Sequence, residues 1–301
     1  MYFIQHIESI SPQATFGNSG FSKNWEPITA NWALQTPDFK NFISPIALRR
    51  MSSILRMGIA CAKNCMEAIE GEFEAISVGT SLGCLTDTEK FLQTINTTSG
   101  DILSPTAFIQ STHNTIAGQI SLELKNHSYN MTHTQNSVSF ETALLDGLMC
   151  IDEGKNNVFV GIADESIAFM EKLKETLIQT DLPLTTSASF MVLSTKPSTI
   201  ELVKSAVYFS SNASTLLTEF LAGEKVDLLV ETGNEFEQLA NEHCNVLSFC
   251  GYTHAASALG LHLAVDRMKH DKHIRTVCIV NNISKHQLGI TLLRNHVPSN
   301  S

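Results

Sequence analysis

Apolar residues recur along the chain with two periods, one helical and one alternating, and short polar turns separate the runs. Tyr2 to Ile7 predicts a strand, and the following segment to residue 44 reads as a proline-punctuated extended arm carrying Trp25 and Trp32. From Pro45 the apolar positions return at helical spacing through Ile54, Ile59, Cys61 and Cys65 to Ile69, and Gly71 ends the helix. Phe73 to Val78 predicts a strand that stops at the small-residue turn Gly79 to Gly83. Thr94 to Asp101 is polar and reads as a loop, after which Ser104-Pro105 opens a helical stretch to Leu124. Tyr129 to Thr134 predicts a short strand, Val138 to Glu153 a helix, Val158 to Ile162 a strand, Ser166 to Leu177 a helix and Ser187 to Ser194 a strand.

The second half repeats this grammar. Val226 to Val230 predicts a strand ending in Thr232-Gly233, Glu235 to Asn241 a helix, Val246 to Phe249 a strand, His254 to Met268 a helix, and Thr276 to Val280 and Gln287 to Leu293 the last strands. Each half contains one helix that is apolar on more than one side, Val138 to Glu153 and His254 to Met268. Such helices need cover on both sides. Two mixed sheets sandwiching a central helix pair, with further helices outside, satisfy that need. The pattern points to one α/β domain over residues 1–301, with pseudo-repeat halves at about 45–195 and 196–301.

Composition narrows the function. The 20 Lys+Arg against 30 Asp+Glu leave a net charge of −10, and the one compact basic group is Arg49, Arg50 and Arg56, so a nucleic-acid partner is excluded. No apolar run reaches the ~20 residues of a membrane span, and Met1 to Ser11 lacks both the basic segment and the cleavage site of a secretory signal, so a cytoplasmic protein is expected. The seven cysteines lie mostly within apolar runs and read as reduced core thiols. Cys61 and Cys65 share a helical face without a second pair at zinc-ligand spacing, so neither a metal nor a cofactor is called for. The Gly79 to Gly83 turn lacks the lysine of a phosphate loop and the third glycine of a dinucleotide fingerprint, and reads as a plain strand-to-helix turn.

Several segments, in this order, resemble the thiolase-fold β-ketoacyl synthases: Arg49-Arg50-Met51-Ser52; Ser104-Pro105 through Phe108 with Asn114 through Gly118; Ser139 to Gly154 followed by Val158 to Glu165; Ser187 to Leu193; Thr232-Gly233; and Gly251-Tyr252 through Gly260. The likeness extends from residue 45 onward and is greatest to the divergent synthase-like proteins of aryl polyene and flexirubin pigment clusters. It implies a shortened thiolase-like αβαβα layered fold. The family's chemistry uses a cysteine at a strand-to-helix turn, activated by a buried helix N-terminus, and two histidines that support decarboxylation and stabilise an oxyanion. Aligned on the flanking motifs, Ser137 stands at the cysteine, Val230 at the first histidine and Tyr252 at the second, while the family's lysine falls near Leu247.

A serine hydroxyl without a base is a poor nucleophile, and losing members of a catalytic unit lowers rate by orders of magnitude. The resemblance therefore implies a catalytically silent subunit of chain length factor type, paired as a heterodimer with an active synthase, which itself meets the acyl carrier protein. The segment Phe108 to Asn114 would be its interface and tunnel element, with Phe108, Gln110 and His113 near the partner's site. Arg49, Arg50 and Arg56 can meet an acidic carrier or form a solvated helix face. Ser137 can be an acylated nucleophile or a helix-start hydrogen-bonding residue. Cys250 can be a displaced nucleophile or an inert thiol, and His254 a displaced base or a helix-start residue. Those options leave two alternatives open: an acyltransferase or thioesterase acting on carrier thioesters, and a structural homodimeric scaffold.

Overall fold

The computed structural model describes residues 1–97 and 103–296. Its strands are β1 (Tyr2–Ile10), β2 (Ala75–Gly79), β3 (Tyr129–His133), β4 (Val158–Asp164), β5 (Ser187–Ser194), β6 (Ile200–Tyr208), β7 (Val226–Glu231), β8 (Ala240–Asn245), β9 (Thr276–Asn281) and β10 (Leu288–Asn295). Its helices are α1 (Pro45–Leu48), α2 (Ser53–Glu67), α3 (Leu85–Thr97), α4 (Pro105–Gln110), α5 (Thr115–Leu124), α6 (Ser139–Asp152), α7 (Ala168–Leu173), α8 (Ala213–Leu221), α9 (Leu247–Cys250) and α10 (Ala256–His270).

The strands run in the order β3-β2-β4-β5-β1-β6-β10-β9-β7-β8. On one side β2 is parallel to β3 and β4, and β5 is antiparallel to β4 and β1. On the other β7 is parallel to β8 and β9, and β10 is antiparallel to β9 and β6. The two halves thus carry the same five-strand pattern. Instead of two separate sheets there is one, because β1 and β6 pair at Tyr2↔Leu202 and Phe3↔Glu201.

Strand alternation divides the core into three parts. On β4, Val158, Val160 and Ile162 face the central layer with α6 and α10, while Phe159 and Ala163 face α2 and α5. On β9, Val277 and Ile279 face the centre and Cys278 and Val280 face α8. The layering is therefore α2/α5, half-sheet, α6/α10, half-sheet, α8, the αβαβα order of the thiolase-like class. Ring stacking of Phe159 between Phe73 (4.6 Å) and Phe190 (5.0 Å) anchors the first outer layer.

Several local expectations change. The Thr94 to Asp101 loop is helical through Thr97, and its remainder lies outside the described residues. The Ser104 to Leu124 stretch breaks into α4 and α5 at Ser111–Asn114, so Phe108 and Gln110 are helical. The helix expected over Glu235 to Asn241 is a single 3-10 turn running into strand β8, and the strand expected over Val246 to Phe249 is the short helix α9. The arm after β1 packs on α9, with Ile28 N–H donating to the Ser248 carbonyl (2.8 Å) and the Trp25 ring tilted against Phe249 (5.2 Å).

Candidate functional site

A cavity of about 370 Å³ opens where β2, β4 and β9 end and α6 and α10 begin. Ser137, Tyr252 and His254 line it, together with Asn136, Asp164, Glu165, Thr185 and Ile283. Three sequence-predicted residues thus meet across more than a hundred positions of chain. Val230 and Cys250 are left out of the lining. Val230 is fully buried within β7, where a Cβ on Gly260 of α10 would lie 2.9 Å from its Cγ1. Cys250 is also fully buried; desolvation pushes its thiol far up and its carbonyl accepts from Thr185 Oγ1 at 2.7 Å, so it is an inert core thiol.

Ser137 sits in a 3-10 turn just before α6, next to Asn136 in the left-handed region at φ 56°. The turn is tight because β2 abuts α6: a Cβ on Gly79 would lie 2.6 Å from the Ser139 carbonyl oxygen. Ser139 satisfies the turn, its Oγ accepting from Gln135 N–H (2.9 Å) and donating to the Asn136 carbonyl (2.8 Å). Ser137 does not cap the helix. Its hydroxyl donates to Gln287 Oε1 at 2.7 Å, and its carbonyl accepts from Asn281 Nδ2 at 2.6 Å. An amide oxygen orients a hydroxyl but does not take its proton.

His254 is half-buried, and its Nδ1 is without a hydrogen-bond partner among the described residues. Desolvation pulls its titration down to about 4, so the ring is neutral at physiological pH. The Tyr252 ring meets it edge-on at 5.7 Å, and burial raises the phenol.

Two carboxylates complete the wall. Asp164 accepts from Thr80 Oγ1 (3.0 Å), Ser81 N–H (2.9 Å) and Leu82 N–H (3.1 Å), while burial lifts its titration to about 6. The N–H groups of the phosphate-loop-like turn are therefore occupied by the protein's own carboxylate. Glu165, also raised by burial, accepts from the N–H and hydroxyl of Thr86 at the start of α3. Negative groups beside Ser137 oppose the oxyanion of acyl transfer. Gln287 and Asn281 escaped the sequence reading, which placed Gln287 only at a strand start and Asn281 just past a strand end; no local signal connects Ser137 to a side chain 150 positions away.

The other expected residues, on α4 and around the start of α2, stand outside that cavity. Phe108 is 58% exposed, and His113 and Asn114 are exposed as well. Gln110 Nε2 donates to the Arg50 carbonyl at 3.1 Å, joining α4 to the turn that carries the exposed Arg49 and Arg50. Arg56 turns inward, donating from Nη2 to the Leu48 carbonyl at 2.8 Å.

Residues 23–219 match the family described as beta-ketoacyl synthase, N-terminal domain. The chain belongs to the beta-ketoacyl synthase family. Among solved structures it is similar to the ishigamide ketosynthase/chain length factor, at 11% identity over 98% of this chain and 99% of that one, with a TM-score of 0.79. It also resembles a type II polyketide synthase acyl-carrier protein in complex with its hexaketide-bound ketosynthase, at 13% identity over 98% and 99% with a TM-score of 0.83. The ketosynthase ApeO in complex with its chain length factor ApeC from Xenorhabdus doucetiae matches at 15% over 98% and 99%, with a TM-score of 0.65. At these identities the likenesses establish the fold. No curated protein matches the chain. Among the described residues no helix is long and apolar enough to cross a membrane.

Proposed function

We propose that this chain is a catalytically silent β-ketoacyl synthase-like subunit of chain length factor type, pairing with an active ketosynthase in fatty-acid or polyketide-type biosynthesis of an aryl polyene or flexirubin-like pigment. One observation supports the reading: Ser137, matched to the family's nucleophile position, donates its hydroxyl hydrogen bond to an amide oxygen, which cannot act as a base. The cavity around it holds a histidine whose depressed titration makes it a weak base, with no hydrogen bond to the Ser137 hydroxyl among the described residues, and two carboxylates where the chemistry needs oxyanion donors.

The surface supports a partner. Phe108 and Ile109 on α4 (58% each), Leu122 on α5 (69%) and Met131 on β3 (42%) are all exposed, and β3 is an edge strand with an unpaired side. Exposed apolar residues beside an open edge favour association with another chain. Similar folds occur in ketosynthase/chain length factor complexes, and a carrier protein accompanies the ketosynthase in one. Phe108, Gln110, His113 and Asn114 are assigned to the partner interface, and Arg49 and Arg50 to the rim that an acidic carrier meets on its way to the partner.

Coexpression with a ketosynthase that carries the Cys-His-His set tests the assignment. A stable heterodimer is expected, with no acyl gain on this chain by intact mass after incubation with acyl carrier protein. A self-acylating monomer or homodimer overturns it, all the more if Ser137→Ala abolishes the mass gain.

A further inference from the structure

The first turn of α6 holds a second ionisable group behind Ser137. Glu141 is 2% exposed, and its carboxylate accepts from Asn281 Nδ2 at 3.0 and 3.1 Å, the same nitrogen that donates to the Ser137 carbonyl at 2.6 Å. The hydroxyl of Ser257 on α10 lies 3.4 Å from that nitrogen, so the hydrogen-bonding groups around the carboxylate are neutral. The fold makes room for it on purpose: a Cβ on Gly289 of β10 would lie 2.6 Å from the Glu141 carboxyl carbon. Burying a carboxyl among neutral groups is unfavourable, and desolvation raises its titration.

A helix N-terminus acts as a partial positive charge of about half a unit, the feature that would acidify a thiol at position 137. Glu141 lies one turn further on, a rise of about 5.4 Å along the axis. Resting on the reading of this chain as a silent subunit, we propose that Glu141 is an electrostatic lock on position 137, a carboxylate that cancels the helix field so that even a thiol placed there stays protonated. Two like charges at such a separation cannot both form freely, so an ionised Glu141 holds back ionisation of a thiol at position 137. The lock makes silence more than a one-residue change.

The test places a thiol at the site by Ser137→Cys, alone and combined with Glu141→Gln, and measures the pH midpoint of iodoacetamide alkylation at that position by peptide mass. The lock predicts a midpoint at or above about 8.5 for the single variant, falling by about one to two pH units when Glu141 is also neutralised. A single variant already acidic below about 7, or an unchanged midpoint in the double variant, overturns it. Should Glu141→Gln fail to fold, Glu141→Ala with Gly289→Ala removes the carboxylate and refills part of its space for the same measurement. Condensation by the unmodified chain would defeat the silent-subunit reading while leaving this midpoint to be judged separately.

Discussion

Replacing Asp164 by alanine removes the acceptor that holds the turn between β2 and α3 against the cavity. Thr80 Oγ1, Ser81 N–H and Leu82 N–H all point at this carboxylate, and Asp164 and Thr80 are buried. An orphaned buried donor costs about 1–3 kcal/mol, and half-buried Ser81 recovers part of its loss from water, so the variant should lose about 3–4 kcal/mol near neutral pH. The pH dependence has a definite sign. Because burial raises Asp164 from 3.8 to about 6, the folded protein holds this proton more tightly than the unfolded chain does. That contribution is complete below 3.8 and is lost as pH rises through about 6, a change of about 3 kcal/mol. Urea unfolding of both proteins at about pH 4.5 and about pH 7.5 should therefore show a wider gap at the acidic value. A gap that widens instead toward neutral pH would mean Asp164 is stabilised as an ion, and a loss below about 1 kcal/mol at both values would mean the turn does not depend on it.

Other expectations concern the core and the partner surface. Phe159→Ala empties the middle of the Phe73–Phe159–Phe190 stack and should cost about 3–5 kcal/mol in urea unfolding; a loss under about 1 kcal/mol would show that the outer layer refills the space. Phe108→Asp alters a side chain that is 58% exposed, so the melting temperature should stay nearly constant while copurification with the ketosynthase is lost. Retained copurification would move the interface elsewhere.

Much of the fold is legible because its central strands bury nearly every side chain and its two inner helices most of theirs. Continuous apolar runs such as Val158–Asp164 and the polar-poor α10 announce this directly. Strand β6 and helix α8 have no counterpart in the sequence expectations. On β6 only Ile200 to Leu202 are buried, and Glu201 and Lys204 interrupt the alternation; Lys204 reaches the Phe220 carbonyl and ring of α8. The exchange of helix and strand around residues 235–250 has a tertiary cause. The polar segment Ala-Asn-Glu-His-Cys-Asn has little intrinsic strand preference but pairs in parallel with β7 as an edge strand, and Asn245 Oδ1 then accepts from Leu247 N–H at the opening of α9. Motif order placed Ser137 and Tyr252 at site positions, and His254 entered as a displaced-base option; the three line one cavity. The same matching placed Val230 at a site position although its side chain lies in the core, because a one-dimensional match carries no information on which face of β7 a residue occupies.

The direct measurement of the central claim is carbon–carbon bond formation by the purified chain supplied with acyl and malonyl carrier proteins, first alone and then with a Cys-His-His ketosynthase. No elongated thioester is expected from the chain alone, and elongation should begin when the partner is added and disappear when the partner's nucleophile is removed. An extended product from the chain alone, lost on Ser137→Ala, would contradict the account.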